Sequence, residues 1–321
     1  MKITWFACER ARDAAGAASL FMPGGSVPLG HIVSRTRELL GLIDGAQGRY
    51  LYWLTQARLA LTELDQCPVQ DVYQEAFALK NLTILATDFD MKDDASMLAA
   101  RVPVLAWSRD IHHVQFVTVE SLGWCATLRG DIVEALRLFR QAEAVASIVP
   151  QHVRIGVNRA LIGRETGHRS QAIEEIENAL TISDTYRWSE APGDYRLDLL
   201  GLAQVAASIM PMRARQALDR YSSIRNAMNS TFTARIEPGF RAEEAYTHGV
   251  ALRAEGRIAE SADRLRTADA TWRDVGFEWR SARAALELTE LDAGNVFHLA
   301  VKRDLHRRPD SLFAERARKV A

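Results

Sequence analysis

The residues whose types could do chemistry are few, and the acidic run TDFDMKDDAS is the densest of them. Asp88, Asp90, Asp93 and Asp94 stand at spacings by which carboxylates can hold Mg²⁺ against a diphosphate in all-α enzymes. The run does not fit a Ca²⁺ loop, because it lacks the glycine at the sixth position and has Lys92 where a ligand is needed; no second acidic motif follows downstream. A solvated turn opening a helix is the plainer reading, with Asp93 and Asp94 favoured at the N-terminus by the helix dipole. Glu165 and His168 form the Glu-x-x-His spacing of di-iron bundles, but Gly167 falls between them and breaks the helix that such ligation needs. His112 and His113 are adjacent, so on a helix they diverge and cannot chelate one metal as an i, i+4 pair would. Cys125 lies in LGWCATLRGDIVEALRLFRQA, Leu122 to Ala142, and no histidine is placed by the sequence to activate it; it reads as a small buried apolar residue. MPGGSVPLGH, Met22 to His31, precedes a helix and could offer backbone N–H groups to an anion, yet it has no lysine in the P-loop place and reads as a connector. No catalytic residue, metal ligand or cofactor is expected. A metal-dependent all-α enzyme using the Asp88 to Asp94 run is the competing class.

The elements that would position these residues are helices, since apolar residues recur at spacings of three and four between short polar breaks and strand signals are scarce. A frame repeats along them. Around Gly130 it places Gly123 seven residues before, Ala135 five after, Phe139 nine after and Ala142 twelve after. Gly167 gives Ala160, Ala172, Ile176 and Ala179; Gly256 gives Gly249, Ser261, Leu265 and Ala268. A weaker copy centres on Met212, with Val205, Ala217, Tyr221 and Ile224, and a fainter one on Asp90, with Ala95 and Val102. The frame describes helix, tight turn, helix: the anchor glycine takes the left-handed conformation, small residues let antiparallel helices approach, and the large residue fills between pairs. Pro68, Pro150, Pro192 and Pro309 fall at breaks, and Pro211 is expected to end the apolar run before it.

This pattern resembles the tetratricopeptide repeat, with matching residues at Leu122, Gly123, Gly130, Ala135, Phe139 and Ala142. The anchors here stand 40, 37, 45 and 44 residues apart, longer than that repeat's period of about 34, and the terminating proline is displaced to Pro150 or missing. The resemblance implies a right-handed superhelical array of antiparallel helix pairs, an α-solenoid of six or seven pairs with a concave binding surface. It further implies that Glu120, Trp124, Thr127, Arg154, Arg164, Tyr246 and Arg253 face that concavity. Tryptophan, tyrosine and arginine are the types enriched at binding hot spots, and an extended, partly acidic peptide would suit them. The run TWRDVGFEWRSARAALELTELDAG, Thr271 to Gly294, followed by RRPDSLFAERARKVA, resembles the end of the helical-repeat region of large bacterial LuxR-like regulators with ATP-binding modules. No GxxxxGK[ST] accompanies it. That likeness implies a stand-alone sensor or scaffold piece, or a fragment of a longer regulator.

Bulk properties bound the rest. At 321 residues the chain exceeds the usual size of a single compact core, which suits two domains or an elongated array; the division expected is 1–48, a helical segment and connector, and 49–321, the repeats with capping helices. Forty basic against 41 acidic residues give a net charge of −1, so no global attraction to nucleic acid or anionic membrane is expected. From Ala300 onward, Lys302, Arg303, Arg307, Arg308, Arg316, Arg318 and Lys319 outnumber Asp304, Asp310 and Glu315; these basic residues read as a polar cap on the stack rather than a nucleic-acid contact. Cys8, Cys67 and Cys125 are too few and too scattered for a disulfide framework or zinc site, which suits a cytoplasmic setting. The most apolar window, Leu199 to Met210, is 12 residues long, short of the roughly 20 needed to span a bilayer. The expectation is therefore a non-catalytic module that binds a protein or peptide segment, with a small-ligand or signalling-peptide sensor as a further alternative.

Overall fold

The computed structural model describes residues 30–36, 59–60, 62–64, 66, 72–88, 92–107, 112–191, 197–227, 238–291 and 295–320. Among them every regular element is helical. Six antiparallel pairs follow one another: α1 (Val72–Asp88) with α2 (Lys92–Trp107), α3 (His112–Arg129) with α4 (Ile132–Ala144), α5 (Val149–Glu165) with α6 (Arg169–Asp184), α7 (Asp198–Ala207) with α8 (Pro211–Ala227), α9 (Pro238–Ala254) with α10 (Ile258–Val275), and α11 (Glu278–Glu290) with α12 (Asn295–Arg307). A short α13 (Ala314–Val320) ends the chain's described part. Helical residues 30–36 pack on the first pair: Ile32 is buried and Asn81 donates to Thr36 across 3.2 Å.

The three anchor glycines stand at φ near +80°, the left-handed region that an L side chain enters only at a cost. At the first of these turns the Asp131 carboxylate caps α4 by accepting from the Glu134 backbone N–H. The small-residue positions do what their size allows. A Cβ at Gly123 would collide with the Phe139 ring, and one at Gly249 would lie 2.7 Å from Leu265 Cγ. At that crossing the Ser261 hydroxyl donates to the Gly249 carbonyl across 2.8 Å, a bond that only close backbones permit. Gly276, at φ 84°, is a fourth left-handed turn, between α10 and α11 rather than within a pair. It keeps the same frame, for its seven-before and five-after residues, Asp269 and Ser281, are hydrogen-bonded at 2.6 Å.

One register expected from sequence is corrected. Met212 is no turn: it lies inside α8 and is 79% exposed. The turn falls three residues earlier, around Ile209, where α7 has ended at Ala207. The frame then selects Leu202, Ala214, Leu218 and Tyr221, all buried. Pro211 accordingly opens α8, where its missing N–H costs nothing, instead of ending α7. Pro150 likewise sits in the first turn of α5. The Asp90 copy cannot be tested at its anchor, which lies outside the described residues, but α2 begins at Lys92, two residues on, as the other second helices do after their glycines.

Two layers result. The first helices α1, α3, α5, α7 and α9 touch in succession and form the inner wall. The second helices form an outer layer, and α4 shows their pattern, burying only the stripe Ala135, Leu138, Phe139 and Ala142. By contrast, α3 is buried almost all round, from Val114 to Leu128. The reason lies across the concavity. The array curls until Trp124 of α3 meets Trp279 of α11, ring centroids 5.7 Å apart, and the Leu312 N–H near the end of the described chain donates to Thr127 of α3.

Candidate functional site on the concave face

Side-chain bonds link each inner helix to the next. Asn158 of α5 donates to Glu120 of α3 (3.1 Å), Arg154 of α5 donates to Asp198 of α7 (2.8 Å), and Gln204 of α7 donates to Thr247 of α9 (2.8 Å). Arg253 of α9 bridges Glu287 (2.6 Å) and Glu290 (2.7 Å) of α11. Such bonds need helices whose inward faces carry polar groups at matching heights. Glu120, Asn158, Asp198, Gln204, Thr247 and Glu287 are buried, so their polar groups draw on neighbouring helices for partners, which helps to fix the pitch of the wall.

The seven residues assigned to the concavity fall into three groups. Arg164, Tyr246 and Arg253 surround one buried carboxylate, Glu287: Tyr246 Oη donates to it across 3.4 Å, Arg253 binds it directly, and the Arg164 charge acts on it. Glu120 and Arg154 lie one pair away, bound to Asn158 and Asp198. Trp124 stands edge-on to Phe139 and against Trp279, while Thr127 is buried with its hydroxyl on the Gly123 carbonyl (2.8 Å). Each of the three arginines already has a carboxylate partner: Asp198 for Arg154, Glu165 for Arg164, and the Glu287–Glu290 pair for Arg253. The acidic complement expected from an outside peptide is thus supplied from within.

The C-terminal segment completes the arrangement. Arg316 of α13 enters the concavity with a fan of bonds: Nη2 donates to Glu287 Oε1 at 2.6 Å, Nε to Glu290 Oε1 at 2.6 Å, and Nη1 to Glu165 Oε1 at 3.4 Å. Ahead of it, the Leu312 N–H donates to the Thr127 carbonyl across 3.2 Å, and the Asp310 carbonyl lies so close to Gly130 that a Cβ there would run into it. Leu312 and Phe313 are buried, the latter under the Arg283 guanidinium. Burial would raise the Glu287 pKa, but the Arg316 guanidinium, with Arg253 and Arg164 behind it, overrides that and holds it down to about 2. Burial, against the pull of the Arg283 guanidinium and with the Glu287 charge adding to it, pushes the Tyr246 phenol up to about 12.

Glu287, Glu290, Trp279, Arg283 and Arg316 were not singled out from sequence as site residues. The basic surplus of the tail was visible, but its reading as an outer cap is corrected for Arg316, which points inward into carboxylates, while Arg318 and Lys319 stay exposed beside Asp310 and Glu315. The other candidates stand apart from this cluster. Cys125 is buried 3.4 Å from the Thr87 hydroxyl, and His168 bonds Thr166 beyond the Gly167 turn that separates it from Glu165. Asp93 and Asp94 sit in the first turn of α2; Asp90, Cys8, Cys67 and residues 22–29 lie outside the described residues. Among the described residues no three His, Cys, Asp or Glu groups converge as a metal site, and no helix is long and apolar enough to cross a membrane.

Comparison with known proteins gives the fold its neighbours. No family model matches the chain, and no curated protein sequence matches it. Among solved structures it is similar to a Rap protein complexed with competence and sporulation factor, at 14% identity and TM-score 0.50, over 88% of this chain and 78% of that one. The apo form of RapI aligns at 13% identity and TM-score 0.40, over 90% and 79%. The first of these supports a helical-repeat fold and not the LuxR-like likeness of the C-terminal third. What the first of them has in common with this chain is its fold, a tetratricopeptide-like array of helix pairs.

Proposed function

We propose that this chain is a non-catalytic regulatory module of the cytoplasm that binds a peptide segment along its concave face. The observation that carries the reading is the inner wall itself, where Arg154, Arg164, Tyr246 and Arg253 are bonded to neighbouring helices, Trp124 stands against Trp279, and the Thr127 carbonyl is open to a main-chain donor, here the Leu312 N–H. Preorganised aromatic and guanidinium groups bind peptides without a large ordering cost. The structural neighbour complexed with competence and sporulation factor supports a signalling role for such a wall, as a likeness of fold.

The test is an array of short synthetic peptides probed with labelled protein, with affinities of the selected sequences measured by fluorescence anisotropy. Trp124→Ala combined with Arg164→Ala is expected to weaken binding about tenfold or more, whereas Met212→Ala, on the outer layer, leaves it unchanged. Selection of no peptide, or full affinity in a double variant that still melts cooperatively, overturns the reading.

A further inference from the structure

The inner face is already occupied, and by a segment with ligand-like features. Residues 308–320 leave α12, place Leu312 and Phe313 against the wall, and seat Arg316 among three carboxylates carried by two helices. Glu165 and Glu287 are nearly inaccessible, with side-chain exposures of 3% and 7%. Around them Arg164 and Arg253 supply two positive charges against the three negative charges of Glu165, Glu287 and Glu290. With Arg316 removed, one buried negative charge is left without a counterion, which is costly in a site shielded from water. The pocket therefore demands a cation. Its geometry asks for a particular one: three nitrogens of Arg316, pointing in three directions of one plane, reach three carboxylates. A lysine ammonium is a point charge and cannot span them at once.

The segment that fills this pocket is held by side chains, Leu312, Phe313, Ala314 and Ala317 buried beside Arg316, and little by its backbone. Seven residues of α13 make fewer than two turns of helix, too short to persist alone. Among the described residues, its one backbone–backbone bond to the opposite wall is Leu312 N–H to the Thr127 carbonyl. We infer that residues 308–320 are a resident, displaceable occupant of the concave face, and that the Glu165–Glu287–Glu290 pocket recognises an arginine of the peptide that replaces them. This rests on the peptide-binding reading above and specifies it: the incoming segment is basic at its anchor, and the chain's own tail competes with it. Because the tail is tethered, its effective concentration is on the order of millimolar, so an outside peptide must outbid it.

The experiment uses the full chain and a fluorescent peptide of sequence SLFAERARKV with a free N-terminus, residues 311–320, which omits the Asp310 carbonyl that a methyl on Gly130 would meet. Three proteins are compared by anisotropy: wild type, Arg316→Glu, whose own tail is repelled from the three carboxylates, and Gly130→Ala, whose new methyl collides with the Asp310 carbonyl. Gly256→Ala serves as the folding control, since it has the same left-handed φ with nothing within 4 Å of its Cβ. The peptide is expected to bind Arg316→Glu and Gly130→Ala at least tenfold more tightly than wild type or Gly256→Ala. A peptide carrying Arg316→Glu is expected not to bind, and one carrying Arg316→Lys to bind several-fold more weakly. In wild type, saturating peptide should also speed hydrogen exchange of residues 310–320. Equal binding to all four proteins, binding indifferent to Arg316, or no binding to any of them overturns the inference. The two proposals fail separately. Tail exchange without any outside ligand leaves the occupied pocket standing and removes the peptide-binding function. An outside peptide that binds without moving the tail does the reverse.

Discussion

At the scale of single residues, small size and left-handed backbone are separable constraints. Gly256 and Gly167 have open space where a Cβ would stand, so alanine there costs only the backbone conformation, about 1 to 2 kcal/mol. Gly130 shares their φ but also abuts the Asp310 carbonyl. Gly130→Ala is thus expected to lower stability by about 1 kcal/mol or more beyond Gly256→Ala, the increment being overpacking; thermal melts of the two read it directly. The aspartate run admits a residue-scale test as well. Mg²⁺ or Mn²⁺ is expected to leave the melting temperature unchanged; a metal-dependent rise abolished by Asp90→Asn with Asp94→Asn would move the reading to a metal-dependent enzyme, since binding to the folded state must stabilise it. What the residue scale leaves illegible is partnership. Glu287 and Arg316 are ordinary charged residues in a quarter-charged chain, and nothing local marks them as meeting.

At the scale of the helix pair, the frame around each glycine was readable because it is local. Antiparallel helices joined by a turn of two or three residues must place the same positions at their crossing, whatever lies elsewhere. Ala135 and Ala172 are fully buried at such crossings, and Ala172 backbone nitrogen would lie 3.3 Å from a Cβ on Gly163. Replacing either alanine with leucine is expected to cost about 1 to 3 kcal/mol in denaturant melts; two variants as stable as wild type would show the crossing to be looser than described. The Met212 register failed for an equally local reason. Without a glycine the turn has no mark, and LLGLAQVAASIM continues as one apolar run through the true break at Ser208 to Met210. Pro211 pointed at the boundary, but a proline suits the first turn of a following helix as well as the end of a preceding one.

At the scale of the whole molecule, closure of the curl couples the second and third helix pairs to the sixth and to α13, and gives the molecule an acid sensitivity. Glu287 ionises near 2 when folded, against about 4.3 in an unfolded chain. Its folded pKa is depressed, so its contribution is complete above about pH 5 and is lost as pH falls through that interval toward 2. Glu175 and Glu244 act in the opposite sense, since burial raises both above their ordinary values despite Arg159 and Arg225, and their proton uptake favours the folded state as pH falls. Melting temperatures of wild type and Glu287→Gln between pH 6 and 2.5 isolate the first effect. Wild type is expected to lose stability more steeply than the variant; parallel slopes would mean that the carboxylate is not held ionised by Arg316.

The amino-acid sequence by itself determined the helix pairs, their glycine turns and the small residues at the crossings. All of these follow from spacings within about forty residues, where backbone sterics and hydrophobic periodicity act without reference to the rest of the chain. Only the tertiary structure decided that Trp124 meets Trp279, that Arg316 joins Glu165 and Glu287, and that the concavity holds the chain's own tail. Curvature is the reason. Small rotations from each pair to the next accumulate along a solenoid, so which distant residues face one another depends on the sum over all pairs and on no single motif.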